Sequence, residues 1–151
     1  MDPSSWRGWN GSSFATTFVS PYTMPPGTEA AHVCQPVNLP APDCAAMGLV
    51  YSTYLERFVV TLGCWGSKFL YSTSADLVHW EPAQPLYNPM PHPMVVSISY
   101  PAFMDPTAPT AFNDTNFHTI GQEPYLFWVS MGHSPYSDGR HLWATKMRFE
   151  K

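Results

Sequence analysis

RFVVTLGCWGSKFLYSTSADLVHW, residues 57–80, is the stretch that decides the fold. Two short runs of β-branched and aromatic residues, Arg57–Leu62 and Lys68–Ser74, flank a Gly-Cys-Trp-Gly-Ser connection. Val59, Thr61, Phe69, Tyr71 and Thr73 suit a pleated, half-buried surface, and Gly63 and Gly66 punctuate it. The stretch reads as a β-hairpin, followed by a polar turn and a strand-like arm ending on Trp80. The other segments are read as neighbours of that small sheet.

Composition points the same way. The charged fraction is 12% and there are 17 prolines. Solvent-facing helices need charged outer faces, and proline breaks their interiors. Short strands joined by long proline-bearing loops are therefore expected, and an aromatic content of 15% supplies enough burial to disfavour disorder. A length of 151 residues fits one domain. The formal net charge of −4, with seven scattered cations (Arg7, Arg57, Lys68, Arg140, Lys146, Arg148 and Lys151), argues against a nucleic-acid partner. No apolar run reaches the ~18 residues of a membrane span. Around Trp6–Ser13 the chain is polar and glycine-rich where a secretory signal would be apolar. Two Asn-X-Ser/Thr sequons, at Asn10 and Asn113, are compatible with secretion.

Of the three cysteines, Cys34 and Cys44 bracket a proline-rich loop and are the pair expected to close a disulfide, if one forms. Cys64, inside the hairpin, is expected as a small buried hydrophobe.

In chain order, Ser5–Val19 reads as a short strand pair turning at Asn10-Gly11. Pro21–Ala46 reads as a long loop. The first clear unit, 47–93, comprises a strand at Gly48–Ser52, a turn, the hairpin, and a proline-rich loop over Glu81–Pro93. The second unit, 94–151, follows a similar plan: a strand at Val95–Tyr100, a long connection Pro101–Gln122, a strand at Pro124–Met131, a loop, and an alternating strand His141–Phe149. In that last strand Trp143, Thr145, Met147 and Phe149 form the expected inner face. A strand-built repeat of roughly 40–50 residues is the sequence signature of a β-propeller blade. The fold expected is all-β: a partial propeller of two to three antiparallel blades, with 5–46 as the tail of a preceding blade plus loop, 47–93 a blade and 94–151 the final blade. A small antiparallel sandwich is the alternative.

Tyr71-Ser72-Thr73-Ser74-Ala75-Asp76-Leu77-Val78-His79-Trp80 resembles the S-x-D-L-x-x-W segment of five-bladed propeller glycosidases. That group includes the arabinanase/xylosidase type (glycoside hydrolase family 43) and the invertase-type fructosidases (family 32). Gly48–Val60 is similar to the strand–turn–strand that precedes the segment. Tyr100–Pro106 and Pro124–Trp128 are similar to the opening strands of the last blade. The likeness spans about Met47 to Phe149. A comparison with the sialidase-type Asp-box is weaker, because its glycine is missing and the Asp-to-Trp spacing is one residue shorter. In either motif Asp76 and Trp80 are structural: the carboxylate caps a turn and the indole packs between sheets.

The resemblance implies carbohydrate recognition, and it also implies that much of a propeller is missing, since propellers close with about four or more blades. A truncated propeller, a fragment of a longer product, or an assembly completed by another chain or a second copy all satisfy it. The family's catalytic carboxylates come from earlier blades and match no residue here. Of the local acids Glu56, Asp76, Glu81, Asp105, Asp114, Glu123 and Asp138, Asp105 at the end of the Ser97–Met104 strand is the best candidate to face a central funnel, although an Asp-Pro there is more often a turn. Tyr54, Trp65 and Tyr100, near strand ends or loops, are the candidate sugar-stacking residues for an oligosaccharide or polysaccharide. No metal-ligand spacing joins the six histidines, no nucleophile elbow is present, and no cofactor is implied. The expectation is a sugar-binding module that does not hydrolyse, with pairing through exposed blade edges as the alternative.

Overall fold

A computed structural model describes residues 3–64, 68–88, 97–108, 117–131 and 139–151. Its described elements are strands, apart from two short 3-10 turns, so the all-β expectation holds. The chain divides into two units, Met1–Asn38 and Leu39–Lys151.

The first unit is a ribbon. Strands β1 (Arg7–Trp9) and β2 (Phe14–Thr17) pair antiparallel, with Trp9 opposite Phe14. The Asn10 side-chain oxygen accepts the N–H groups of Ser12 and Ser13, and Gly11 takes a φ of 99° that a side chain would disfavour. The loop after β2 holds a 3-10 turn at Glu29–His32, and the backbone N–H of Gln35 donates to Trp9.

The second unit carries the core. Strands β3 (Cys44–Ser52), β4 (Arg57–Cys64), β5 (Lys68–Ser74) and β6 (Gln84–Tyr87) form an antiparallel meander in chain order. The hairpin of residues 57–80 is its centre, as the β-branched pattern requires. The arm at 75–80 is a turn hung on the end of β5, with a bridge between Ser74 and Trp80. The strand sits further on, inside what reads as a proline-rich loop. Pro85 is tolerated there because β6 is an edge and needs no outward N–H.

Strand β7 (Ser97–Met104) starts the second sheet, which runs β7, β9 (Tyr125–Met131), β10 (Arg140–Lys146). Between β7 and β9 the chain returns to the first sheet as β8 (Thr119–Ile120), parallel to β3. The connection expected over Pro101–Gln122 therefore contains half of β7 and all of β8. Strand β7 passes through Pro101 by a register shift between Ser99 and Ala102, with Tyr100 at a φ of 59°. That shift removes Tyr100 and Pro101 from the β9 ladder, where proline's missing N–H would break it.

The two sheets bury Val50, Val59 and Phe69 against Ile98, Phe103, Leu126 and Trp128, with Ile120 and Phe149 completing the cluster. Phe69 meets Trp128 edge-on, and Trp143 stacks on Trp128 at 5.5 Å. The alternation expected at the C-terminus holds for its second half: Thr145 and Met147 are half-buried and Phe149 is buried, whereas Trp143 is exposed. Leu142 is 70% exposed and Trp143 36%, and Phe149 reaches the core beyond the end of β10. Two mainly antiparallel sheets packed on one another are common to adjacent propeller blades and to a small sandwich, the two architectures expected.

The cysteine expectation is corrected. Cys44 bonds to Cys64, and Cys34 is a free, exposed thiol. The reason is register. Strand β3 begins at Cys44, four residues before the predicted strand, and this sets Cys44 directly opposite Cys64 on β4, with Cα atoms 4.2 Å apart.

The sheets approach closely at Gly48. A Cβ there would lie 2.8 Å from the Thr61 hydroxyl and 3.1 Å from the Pro101 carbonyl oxygen, so only glycine admits this approach. The buried Thr61 hydroxyl donates to that carbonyl at 2.7 Å. Thr61→Val keeps the shape and leaves the carbonyl buried without its donor. It is expected to lower stability by about 1–3 kcal/mol, read as a lower urea midpoint at unchanged slope.

Candidate functional site

An open groove of about 660 Å³ lies between the β5–β6 edge and the C-terminal tail. Its polar lining includes Arg57, Glu81, Gln84 and Arg148, and its apolar lining includes Tyr71 and Phe149. Each part of the lining has a local cause. The Ser74–Trp80 turn folds the chain back so that the Glu81 N–H donates to Thr73 and the Ser72 hydroxyl donates to the Glu81 carbonyl. This brings the Glu81 carboxylate to 3.0 Å from the Arg57 guanidinium. On the opposite wall, the N–H groups of Met147 and Phe149 donate to Pro124 and Gln122, which extends the β10 pairing and seats Phe149 against Phe103 and Tyr71. Arg148, between them, turns outward to Glu123 at 3.3 Å.

Glu123 also takes Lys146 at 2.8 Å. The hydrogen bond and charge of Lys146 hold the Glu123 carboxyl below its usual range, and the same contact raises Lys146. Both arginines are thus oriented by a carboxylate. A guanidinium has five N–H donors, so one ion pair leaves most of the fork for a ligand.

The turn beside the groove is built on Asp76. Its carboxylate accepts the N–H groups of Val78 and His79, the Ser74 hydroxyl, and the His79 ring at 2.7 Å. The His79 ring contact, then the backbone N–H groups, hold the Asp76 carboxyl well below the usual carboxylate range. The Ser74 hydroxyl accepts the N–H groups of Asp76 and Leu77, and Leu77 takes a φ of 68°. The Trp80 indole N–H donates to the Leu77 carbonyl, so Trp80 closes its own turn. It is half-buried and stands outside the core cluster, rather than packing between the sheets as expected.

The residues expected to contact a ligand do not converge. Tyr54 packs on the core beside Leu55, a groove residue, with the Lys151 ammonium 5.1 Å above its ring. Tyr100 is 57% exposed at the β7 irregularity and does not line the groove. Trp65 and the Asn113 sequon lie outside the described residues.

Asp105 is 3% exposed. One carboxylate oxygen accepts the N–H and hydroxyl of Thr107, and the other accepts the Gly121 N–H at 2.7 Å. Burial pushes this carboxyl up, but the bonds from Gly121 and Thr107 together outweigh it and the net shift is down. Such a group fastens the end of β7 to the end of β8.

The groove residues Arg57, Glu81, Gln84 and Arg148 carry no motif. The available signal was Asp76: a turn capped there must return Glu81 toward the start of β4. Among the described residues no three His, Cys, Asp or Glu side chains cluster to hold a metal, and no helix is long and apolar enough to cross a membrane. No protein-family model, curated protein or solved structure matches the chain.

Because the folded Asp105 carboxyl is shifted down, its stabilisation is present above the unfolded value and fades as pH falls through the folded one. Asp105→Asn is expected to cost about 1–3 kcal/mol at neutral pH. The gap from the parent chain should narrow below about pH 4, where an unfolded aspartate protonates. Urea titrations of both chains between pH 2 and 7 check this, and a gap that widens in acid would contradict the assignment.

Proposed function

We propose that this chain binds carbohydrate in the groove between the β5–β6 edge and the C-terminal tail, without hydrolysing it. The observation that carries the reading is the groove's composition: two carboxylate-braced arginines, Gln84 and Glu81 beside the rings of Tyr71 and Phe149. Sugars present vicinal hydroxyls, which suit the paired donors of arginine and the paired groups of glutamate and glutamine. They also present C–H faces, which suit aromatic and proline surfaces. Its volume is that of a small-ligand site, within the usual ~300–1,000 Å³. Support also comes from the likeness of residues 71–80 to the propeller glycosidases. Hydrolysis is not expected, because none of that family's catalytic carboxylates has a counterpart among these residues.

A second reading rests on its own observation. Among the described strands, β10 is a sheet edge whose residues are exposed along Arg140–Lys146, apart from a half-buried Thr145. An edge of this length is a template for pairing with another chain. Ala144→Pro removes a backbone donor there and separates the readings: loss of a dimer in sedimentation supports pairing, and an unchanged monomer opposes it.

For the leading reading, a glycan array followed by calorimetric titration is the test. Arg148→Ala and Gln84→Ala should each weaken binding about tenfold, the ~1.4 kcal/mol of one charge-assisted hydrogen bond. Tyr100→Ala should leave affinity unchanged. An array without hits, or hits indifferent to Arg148 and Gln84, would reject the groove.

A further inference from the structure

Away from the groove, one end of the first sheet carries three chemically matched residues in a single row across β3, β4 and β5. Cys44 on β3 faces Cys64 on β4, and Cys64 faces Lys68 on β5. Directly opposed residues on neighbouring strands project to the same face. All three line a second surface cavity of about 450 Å³, together with Ala41, Pro42, Asp43 and Leu70. Both disulfide cysteines are only half-buried, so the bond is open to a solute. A register shift between Ala46 and Gly48 sets the last rungs, Cys44 to Ala46, apart from the rest of the β3–β4 ladder.

The charges around this bond are unequal. Lys68 stands opposite Cys64, and its ammonium favours negative charge on that sulfur. Asp43 precedes Cys44 in the chain and lines the same cavity, and its carboxylate disfavours negative charge there. In disulfide exchange the better leaving sulfur is the one that better carries charge as a thiolate.

We propose that the Cys44–Cys64 bond is a thiol-exchange site for a low-molecular-weight thiol, which attacks the Cys44 sulfur and expels Cys64. The incoming thiol first gives its proton to solvent. Its sulfur then forms a new S–S bond to Cys44 Sγ, the Cys44–Cys64 bond breaks, and the electron pair remains on Cys64 Sγ beside Lys68. One S–S bond is lost and one is gained, so no further oxidant or reductant takes part. The product is a mixed disulfide on the Cys44 end of β3, with a free Cys64 thiolate at the end of β4.

The experiment uses the full chain carrying Cys34→Ser, which removes the third, exposed thiol. It is treated with reduced glutathione without denaturant, quenched in acid, alkylated and mapped by peptide mass spectrometry. Glutathione is expected on Cys44 and the alkyl label on Cys64, at a rate proportional to glutathione thiolate. Lys68→Gln should slow the reaction on the order of threefold and shift adduct toward Cys64, an effect that high salt mimics. Near-UV circular dichroism of each variant confirms that it is folded. Adduct mainly on Cys64 in the Lys68 chain would overturn the proposal. So would a rate independent of glutathione and equal to that of global unfolding, measured by hydrogen exchange of the core amides.

Discussion

The second unit depends on the contact at which β7 crosses the first sheet. Thr61 donates to the Pro101 carbonyl across a space that exists only because residue 48 is glycine. Pro101 cannot donate to β9, so the strand needs a register shift there, and the shift leaves a carbonyl to be satisfied from elsewhere. Thr61 satisfies it from the facing sheet. The same local irregularity thus joins the two layers and turns the Tyr100 ring outward, at a backbone φ that a bulky residue adopts only when its surroundings impose it.

Around that contact, carboxylates act as fasteners. Asp105 binds the end of β7 to the end of β8, and Asp76 caps the turn between β5 and β6. Glu81 and Glu123 brace the two arginines of the groove. With only 12% charged residues, a large share of the chain's acids is spent on local geometry, and the groove is a by-product of two such placements. The Asp76 turn delivers Glu81, and the tail that buries Phe149 delivers Arg148.

The strands that carry β-branched and aromatic alternation were legible: the hairpin strands of 57–74 and the 125–131 strand follow from side-chain periodicity, as does the inward turn of Met147 and Phe149 after the last strand. The turn role of Asp76 was legible too, because its hydrogen bonds reach only two or three residues along the chain. Strands β6 and β8 were not. The first contains a proline and the second is two residues long, and each exists because a neighbouring strand offers it a ladder. The cysteine pairing failed for a related reason. Sequence separation favoured Cys34 with Cys44, while pairing is decided by which residues face each other across β3 and β4.

For the candidate site the balance is different. Tyr54, Trp65 and Tyr100 stand out in the sequence because aromatic residues at loop ends can stack on sugars, a property of each residue taken singly. The groove is assembled from residues 57, 81, 84 and 148, which share no motif and meet only when the chain has folded. The sequence by itself determined that the chain is all-β, where its central hairpin lies and how its main turn is capped, because these rest on interactions within a few residues. Tertiary structure alone decided the disulfide partner, the crossing at Gly48 and the membership of the groove. Those depend on register between distant strands, which no local pattern encodes.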